Sequence, residues 1–425
     1  MNHFSYQIYE MAHSAIAPAR ALSDATKFLF KNPFNPLSHT AFGKNMAAYA
    51  ELFERVTRRY GKPAFGLPST LVGGERIAVR EDIVWEKPFC KLIRFVRETE
   101  RPLNQPKFLI VAPMSGHYAT LLRGTVEAFL PHFDIYITDW TDARDVPLAA
   151  GNFDLDDYID YLIDICGHLG PGAHTLGVCQ PSVPLIAAVA RMSEDKNPNV
   201  PASMTIMGGP IDTRKSPTAV NKLAATRGVK WFKDNCIHYV PFPNAGFGRR
   251  VYPGFLQLSG FMAMNMDRHV DAHVKMFQHL VKNDGDSAEK HREFYDEYMA
   301  VMDLTAEYYL QTVEEVFVKH SLPKGEFQHR GRLIDLKAIS KTALMTVEGE
   351  NDDISGIGQT TAAHDLCVNI PPELKVDYLQ KNVGHYGVFN GSRFRSEIAP
   401  RICDFISTVE QINRSPKKRL TLAAE

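Results

Sequence analysis

The stretch His174-Thr-Leu-Gly-Val-Cys179-Gln-Pro-Ser182-Val-Pro-Leu-Ile-Ala-Ala-Val-Ala-Arg191 decides the fold. An apolar strand ending at Cys179 runs directly into an Ala-rich helix that begins at Ser182. A sharp strand-to-helix turn lifts one side chain above the sheet and sets it beside the free N–H groups of the helix start. The usual form of such a turn is G-x-S-x-G. Here Cys179 takes the serine position and Pro181 replaces the last glycine. A buried cysteine on a strand before a helix is commoner than a nucleophile, so the reading depends on its partners.

Those partners lie downstream in order. Thr342-Ala-Leu-Met-Thr-Val-Glu-Gly349 reads as a strand with a glycine stop, followed at once by Glu350-Asn-Asp-Asp-Ile354. Carboxylates therefore fall at the carboxyl end of a strand, where open α/β sheets bind their ligands. Leu374-Lys-Val-Asp-Tyr-Leu379 reads as the next strand, and Asn382-Val-Gly-His-Tyr-Gly387 places His385 in a glycine-flanked loop before the last helix. Nucleophile, acid and base in this chain order resemble an α/β-hydrolase. Asp352 is favoured as the acid because it follows the strand more closely, whereas Asp353 is better placed to cap a following helix.

The chemistry follows from these groups. His385 would take the Cys179 proton, and Asp352 would hold the imidazole in the correct tautomer. A thiolate attacking an ester or thioester needs two backbone N–H donors for the oxyanion. Gln180, directly after the cysteine, is one. The other comes from Pro113-Met-Ser-Gly-His117, the loop after the strand 107–112, with Ser115 preferred and Met114 the alternative. The acyl-thioester is then released to water or to another acceptor.

With 425 residues the chain exceeds one ordinary core, which suggests a large domain with an insertion. Its 48 basic and 49 acidic residues leave a net charge of −1, so no global field favours nucleic acid. No apolar run approaches the ~20 residues that span a bilayer, and no signal peptide is visible. The six cysteines form no C-x-x-C pair, which argues against zinc and redox motifs; no metal or cofactor is called for, and a reduced, cytoplasmic setting fits an active thiol.

Along the chain, Phe4, Ile8, Met11, Ala15 and Ala19 recur at helical spacing, Lys31-Asn-Pro breaks that helix, and a second runs over 41–59. Runs 76–85 and 91–97 suggest an antiparallel pair at a sheet edge. Strands and helices then alternate as in a mostly parallel sheet flanked by helices. From 212 to 337 the alternation stops. The domain expectation is an N-terminal helical segment (1–70), a core (71–211 and 338–412), a mainly helical lid (212–337) and a tail (413–425) carrying Lys417-Lys-Arg419. The lid's first half holds Trp231, Phe232, Tyr239, Phe242, Phe247, Tyr252, Phe255 and Phe261, which form either the lid's own core or a groove for an acyl chain.

Asn32-Pro-Phe-Asn-Pro-Leu-Ser-His39, Pro113-Met-Ser-Gly-His-Tyr-Ala-Thr-Leu-Leu-Arg123, Thr138-Asp-Trp140, Gly177-Val-Cys-Gln-Pro181 and Gly384-His-Tyr-Gly387 together carry a resemblance, nearly end to end, to the intracellular poly(3-hydroxybutyrate) depolymerases of bacteria. The resemblance implies an α/β-hydrolase fold and a Cys-Asp-His triad mapped onto Cys179, Asp352 and His385. It further implies action on amorphous polyester at the surface of cytoplasmic storage granules. Polyhydroxyalkanoate synthases share the fold and the cysteine but usually carry G-x-C-x-G, from which Pro181 departs. An acyltransferase working with coenzyme A thioesters is thus the second reading, and a non-catalytic granule-binding protein the third.

Overall fold

The computed structural model describes residues 5–414 apart from Arg101, Asn265 and Asn283, and the backbone alone for a few residues of the insertion, Phe261 among them. Lys417-Lys-Arg419 and Phe4 lie outside the described residues. The strands of the central sheet are β1 (Ser69–Val72), β2 (Glu75–Lys87), β3 (Cys90–Arg97), β4 (Lys107–Val111), β5 (Asp134–Trp140), β6 (His174–Val178) and β7 (Ser203–Met207). Short strands β8 (His238–Tyr239), β9 (Arg250–Tyr252), β10 (Leu304–Thr305), β11 (Gln328–His329) and β12 (Arg332–Leu333) belong to the insertion. The central sheet then resumes with β13 (Ala343–Gly349) and β14 (Lys375–Gln380).

The nine-stranded sheet runs β1-β2-β3-β5-β4-β6-β7-β13-β14. From β5 onward neighbours are parallel, while β3 is antiparallel to both β2 and β5. Counting from β2, that is the strand order of the α/β-hydrolase fold. The central strands β6, β7 and β13 are buried along their whole length, as strands covered on both faces must be, and their polar side chains, such as Thr175, Thr205 and Thr346, are buried with them. All five parallel crossings deliver their loops to one edge, the carboxyl ends of the strands, and the candidate site forms there.

Helices α1 (Ser5–Ala15), α2 (Ala17–Lys31) and α3 (Ala41–Thr57) precede the sheet. The single opening helix expected up to Lys31 is two, parted at Ile16 ahead of Pro18, where the missing proline N–H is tolerated only in a first turn. Helix α4 (Arg123–Phe129) follows β4, α5 (Leu155–Leu169) follows β5, and α6 (Ser182–Glu194) follows β6. An Asp154/Asp157 capping box starts α5. Every residue of α6 from Ser182 to Met192 is buried, which explains its unbroken run of small and aliphatic side chains.

The insertion contains α7 (Ala219–Cys236), bent at Gly228 where φ is +68°, then α8 (Gly254–Met264), α9 (Met266–Lys282), α10 (Gly285–Tyr298) and α11 (Ala306–Thr312). It is not purely helical: β8, β9 and β10 form a three-stranded antiparallel sheet and β11–β12 a hairpin. Strands of two or three residues are too short to show alternation, so the sequence pattern did not reveal them.

The insertion is bolted to the loop after β4. Met302 N–H donates to Gly116 O at 2.7 Å, His117 pairs with Val301, and Thr120 donates to Glu297 at 2.9 Å. Helix α3 joins α10 through Arg55 and Arg58 on Asp296 and through Arg292 on Glu51. Among the described residues no helix is long and apolar enough to cross a membrane.

Candidate functional site

Cys179 sits in the turn between β6 and α6 with φ +67°, a left-handed conformation that a non-glycine residue adopts only at a cost. Two bonds hold it: Cys179 N–H donates to Met207 O at 2.7 Å, and Ser182 N–H donates to Cys179 O at 3.1 Å. The glycines nearby make room. A Cβ on Gly177 would lie 2.9 Å from Leu185 Cδ2, so strand and helix approach as the pattern requires. Pro181, the departure from that pattern, stands at the helix start with φ −56°, where its ring is pre-shaped and no N–H is needed. Close approach on that side is provided instead by the turn after β7. A Cβ on Gly209 would fall 2.0 Å from Ser182 Oγ, and one on Gly208 would fall 3.3 Å from the His385 ring.

His385 follows β14 and is buried. Its Nδ1 donates to Asp352 Oδ2 at 2.8 Å, which turns Nε2 toward the sulfur. The Asp352 side chain is fully buried and its other oxygen accepts the N–H groups of Ile354 (2.9 Å) and Ser355 (2.8 Å). Burial alone would push the imidazolium's acidity up. The charges of Cys179 and Asp352, with hydrogen bonds to both, override it and hold His385 well above the usual histidine range. The structure thus brings Cys179, His385 and Asp352 into one line.

Asp353 is exposed and caps no helix. The chain from Asp352 onward is an irregular loop up to the short helix Ala362–Leu366, whose N-cap Thr361 has no side-chain cap bond. The cap expected of Asp353 is therefore absent because no helix begins there. The loop is instead secured from beneath by Glu348, whose carboxylate accepts the N–H groups of Gly358 (2.9 Å), Thr360 (2.7 Å) and Thr361 (3.0 Å). Glu348 escaped sequence reading because a polar residue near a strand end looks like ordinary alternation.

Gln180 and the loop holding Met114 and Ser115 flank the sulfur on the other side, with Gly116 at φ +106° giving the loop its turn. Among the described residues no backbone hydrogen bond takes up the N–H of Gln180, Met114 or Ser115. His117 in the same loop bonds Tyr298 O at 3.1 Å, and burial lowers its pKa to about 4, so it pins the loop as a neutral ring.

Over this floor lies a cavity of about 500 Å³, roofed by the insertion. Val220, Leu223, Phe232, Tyr252, Val313 and Phe317 make its wall, with Met114, Leu121 and Phe389 from the core. The insertion's aromatic residues divide. Phe232 and Tyr252 face the cavity, Trp231 packs edge-on against Phe232 at 5.1 Å, and Phe255 stacks on Tyr9 at 3.9 Å. Phe242 and Phe247 face each other edge-on at 6.2 Å and are 79% and 57% exposed, and Tyr239 is at the surface; the Phe261 side chain lies outside the described residues. Among the described residues no three His, Cys, Asp or Glu groups could hold a metal ion, and all six cysteines are free thiols.

Strand order and elbow together define an α/β-hydrolase fold with a cysteine at the tip of its strand–helix turn. Residues 208–410 of the chain match the family described as PHB de-polymerase C-terminus. The chain is also similar to the poly(3-hydroxyalkanoate) polymerase subunit PhaC of Haloferax mediterranei, 21% identical over 342 residues. That match spans 77% of this chain but 63% of the relative, less than two thirds of its length. Among solved structures, a thermophilic esterase from Thermogutta terrifontis is 12% identical and covers 80% of this chain and 97% of its own, with a TM-score of 0.40. Naproxen esterase from Bacillus subtilis is 11% identical and covers 84% and 96%, with a TM-score of 0.40.

Proposed function

We propose that this protein is a thiol-dependent polyester hydrolase that cleaves poly(3-hydroxybutyrate) through Cys179, His385 and Asp352. The observation that carries the reading is the Asp352–His385 pair at 2.8 Å, set beside a cysteine on a strained turn beneath an apolar cavity. The Cys179 sulfur attacks the ester carbonyl carbon, and the oxyanion is met by the N–H groups of Gln180 and Ser115, with Met114 the alternative to Ser115. Collapse breaks the C–O bond, and the leaving alkoxide takes the proton from His385. Water then attacks the thioester, gives its proton to His385, and the carboxylic acid leaves as the sulfur is restored. A polyester strand is uncharged and flexible, so an apolar cavity with few polar anchors suits it.

Granule contact belongs to the same reading. Helix α2 buries none of its residues, and Phe28, Phe34 and Phe42 around the α2–α3 turn are 78%, 92% and 61% exposed. A protein working on a solid apolar substrate at a cytoplasmic granule has a use for such a face.

The similarity to PhaC supports a second reading, acyl transfer from a coenzyme A thioester, because the same acyl-enzyme serves both directions. One assay separates them. Purified protein is given amorphous polyester granules and, separately, 3-hydroxybutyryl-coenzyme A. Release of soluble hydroxybutyrate from granules supports the hydrolase, whereas consumption of the thioester with growth of polymer replaces it with the transferase.

A further inference from the structure

The cavity over Cys179 is apolar in its walls yet carries polar atoms that nothing among the described residues satisfies. Gln257 on α8 is 5% exposed, lines the cavity, and its Nε2 makes no hydrogen bond among the described residues. Ser355 Oγ is in the same position. A plain hydrocarbon chain in this cavity would leave both of these buried groups unpaired, at a cost that native proteins rarely accept. An oxygen-bearing chain offers an acceptor to such a donor.

Gln257 stands where such an oxygen would matter. Its amide lies flat on Gly116 of the loop after β4: a Cβ at Gly116 would meet Oε1 at 2.5 Å and Nε2 at 2.9 Å. Gly116 adjoins Ser115, so the unpaired donor sits beside the floor on which the scissile carbonyl would rest. The acyl part stays attached to sulfur through both half-reactions while the alcohol departs after the first. A donor left idle between them is avoided if its partner is on the acyl side.

We infer that Gln257 is a specificity-determining residue that donates a hydrogen bond to an oxygen on the third carbon of the acyl chain, so that 3-oxygenated acyl groups are preferred over plain fatty acyl groups. The inference rests on the proposed function and adds to it the residue that reads the substrate's chemistry.

The experiment compares 4-nitrophenyl 3-hydroxybutyrate with 4-nitrophenyl butyrate on the full chain and on Gln257→Met, a near-isosteric apolar variant, and Gln257→Ala. The wild type should favour the hydroxylated ester in kcat/KM. Both variants should lose about tenfold of that preference, the scale of one buried hydrogen bond. The rate of Cys179 alkylation by iodoacetamide should stay at the wild-type value, and turnover of the butyrate ester should fall about tenfold less than that of the hydroxylated ester. A parallel fall on both esters, an unchanged ratio, or a wild type that prefers butyrate overturns the inference, and polyester hydrolysis by the same preparation then still supports the function. Loss of the preference in a protein that leaves granules untouched upholds Gln257 and overturns the polymer reading. Failure of both esters to acylate Cys179 overturns both.

Discussion

At Cys179 the backbone and the side chain want different things. The left-handed φ of +67° would suit glycine, and the proposed nucleophilic role gives a reason for a side chain to be kept there. Cys179→Ala is expected to abolish turnover and keep the fold, as read by circular dichroism. Cys179→Gly, equally inactive, should be the more stable of the two by about 1 kcal/mol, because it releases the strain that alanine retains; a thermal melt placing alanine above glycine would refute this. Beside it, Asp352→Asn should slow turnover by about three to four orders of magnitude by favouring the wrong imidazole tautomer. Asp353→Asn, altering an exposed carboxylate, should leave turnover near wild type; the reverse pattern in the two mutants would exchange their roles. His385 also sets a pH dependence of stability. Its folded value is raised, so its contribution is complete below the unfolded value of about 6.5 and is lost as pH rises through the folded one. Denaturation midpoints should therefore decline from about pH 6.5 upward, and less so in Asp352→Asn, which removes one of the two charges that raise His385.

The elements that hold these residues differ in how plainly the sequence announces them. The run from β6 through Cys179 into α6 was legible because both flanks are buried, so their apolar character is continuous and only the turn interrupts it. The strand before Asp352, β13, was legible for the same reason and is closed by Gly349, whereas β14, an edge strand with exposed residues, showed only as a short run ahead of the Gly384-His385 loop. What could not be read were contacts made across space. In the sequence Gly208-Gly209-Pro210 reads only as the stop after a strand, yet Gly209 is the place where the turn after β7 lies against Ser182. Gly209→Ala should cost about 1–3 kcal/mol by overpacking this junction, measured by chemical denaturation, with turnover falling as the elbow shifts. Glu348 is the counterpart beneath the Asp352 loop. Glu348→Gln keeps its shape and can still turn an oxygen to Thr360 and Thr361, but it loses the charge and sets its amide N–H against the Gly358 N–H, and should lose about 1.5–3 kcal/mol. Equal stability of that variant would show that the loop is held by its other contacts. The five short strands of the insertion and the break between α1 and α2 were illegible because two or three residues, or a single proline near a helix start, leave no periodic trace.

On the scale of the molecule, apolar surface is the feature that composition hides. A net charge of −1 and an even mixture of signs describe an ordinary water-facing protein, and they exclude long-range steering of a charged partner. Placement of the side chains says more. Leu22, Phe28, Leu29, Phe34, Leu37 and Phe42 stand exposed along α2 and around its turn into α3, while the ion pairs of α3 with α10 tie this hairpin to the insertion that roofs the cavity. If polyester granules are the substrate, this face is the one that adsorbs, and the exposed Phe242 and Phe247 of the insertion are its competitors. Fully burying a phenylalanine is worth about 1.5–3 kcal/mol, so replacing Phe28, Phe34 and Phe42 together by serine should weaken adsorption by well over tenfold. Adsorption of the wild type should be nearly insensitive to salt, since burial of uncharged surface is not screened. The measurement is co-sedimentation with amorphous granules at low and high ionic strength, alongside hydrolysis of a short soluble 3-hydroxybutyrate ester. Loss of sedimentation with unchanged soluble-ester turnover and melting temperature assigns adsorption to the hairpin. If Phe242→Ser with Phe247→Ser abolishes sedimentation and the hairpin variant does not, adsorption belongs to the insertion. A fall in soluble-ester turnover together with a lowered melting temperature would mean that the hairpin phenylalanines support the fold of the insertion and not its attachment to polymer.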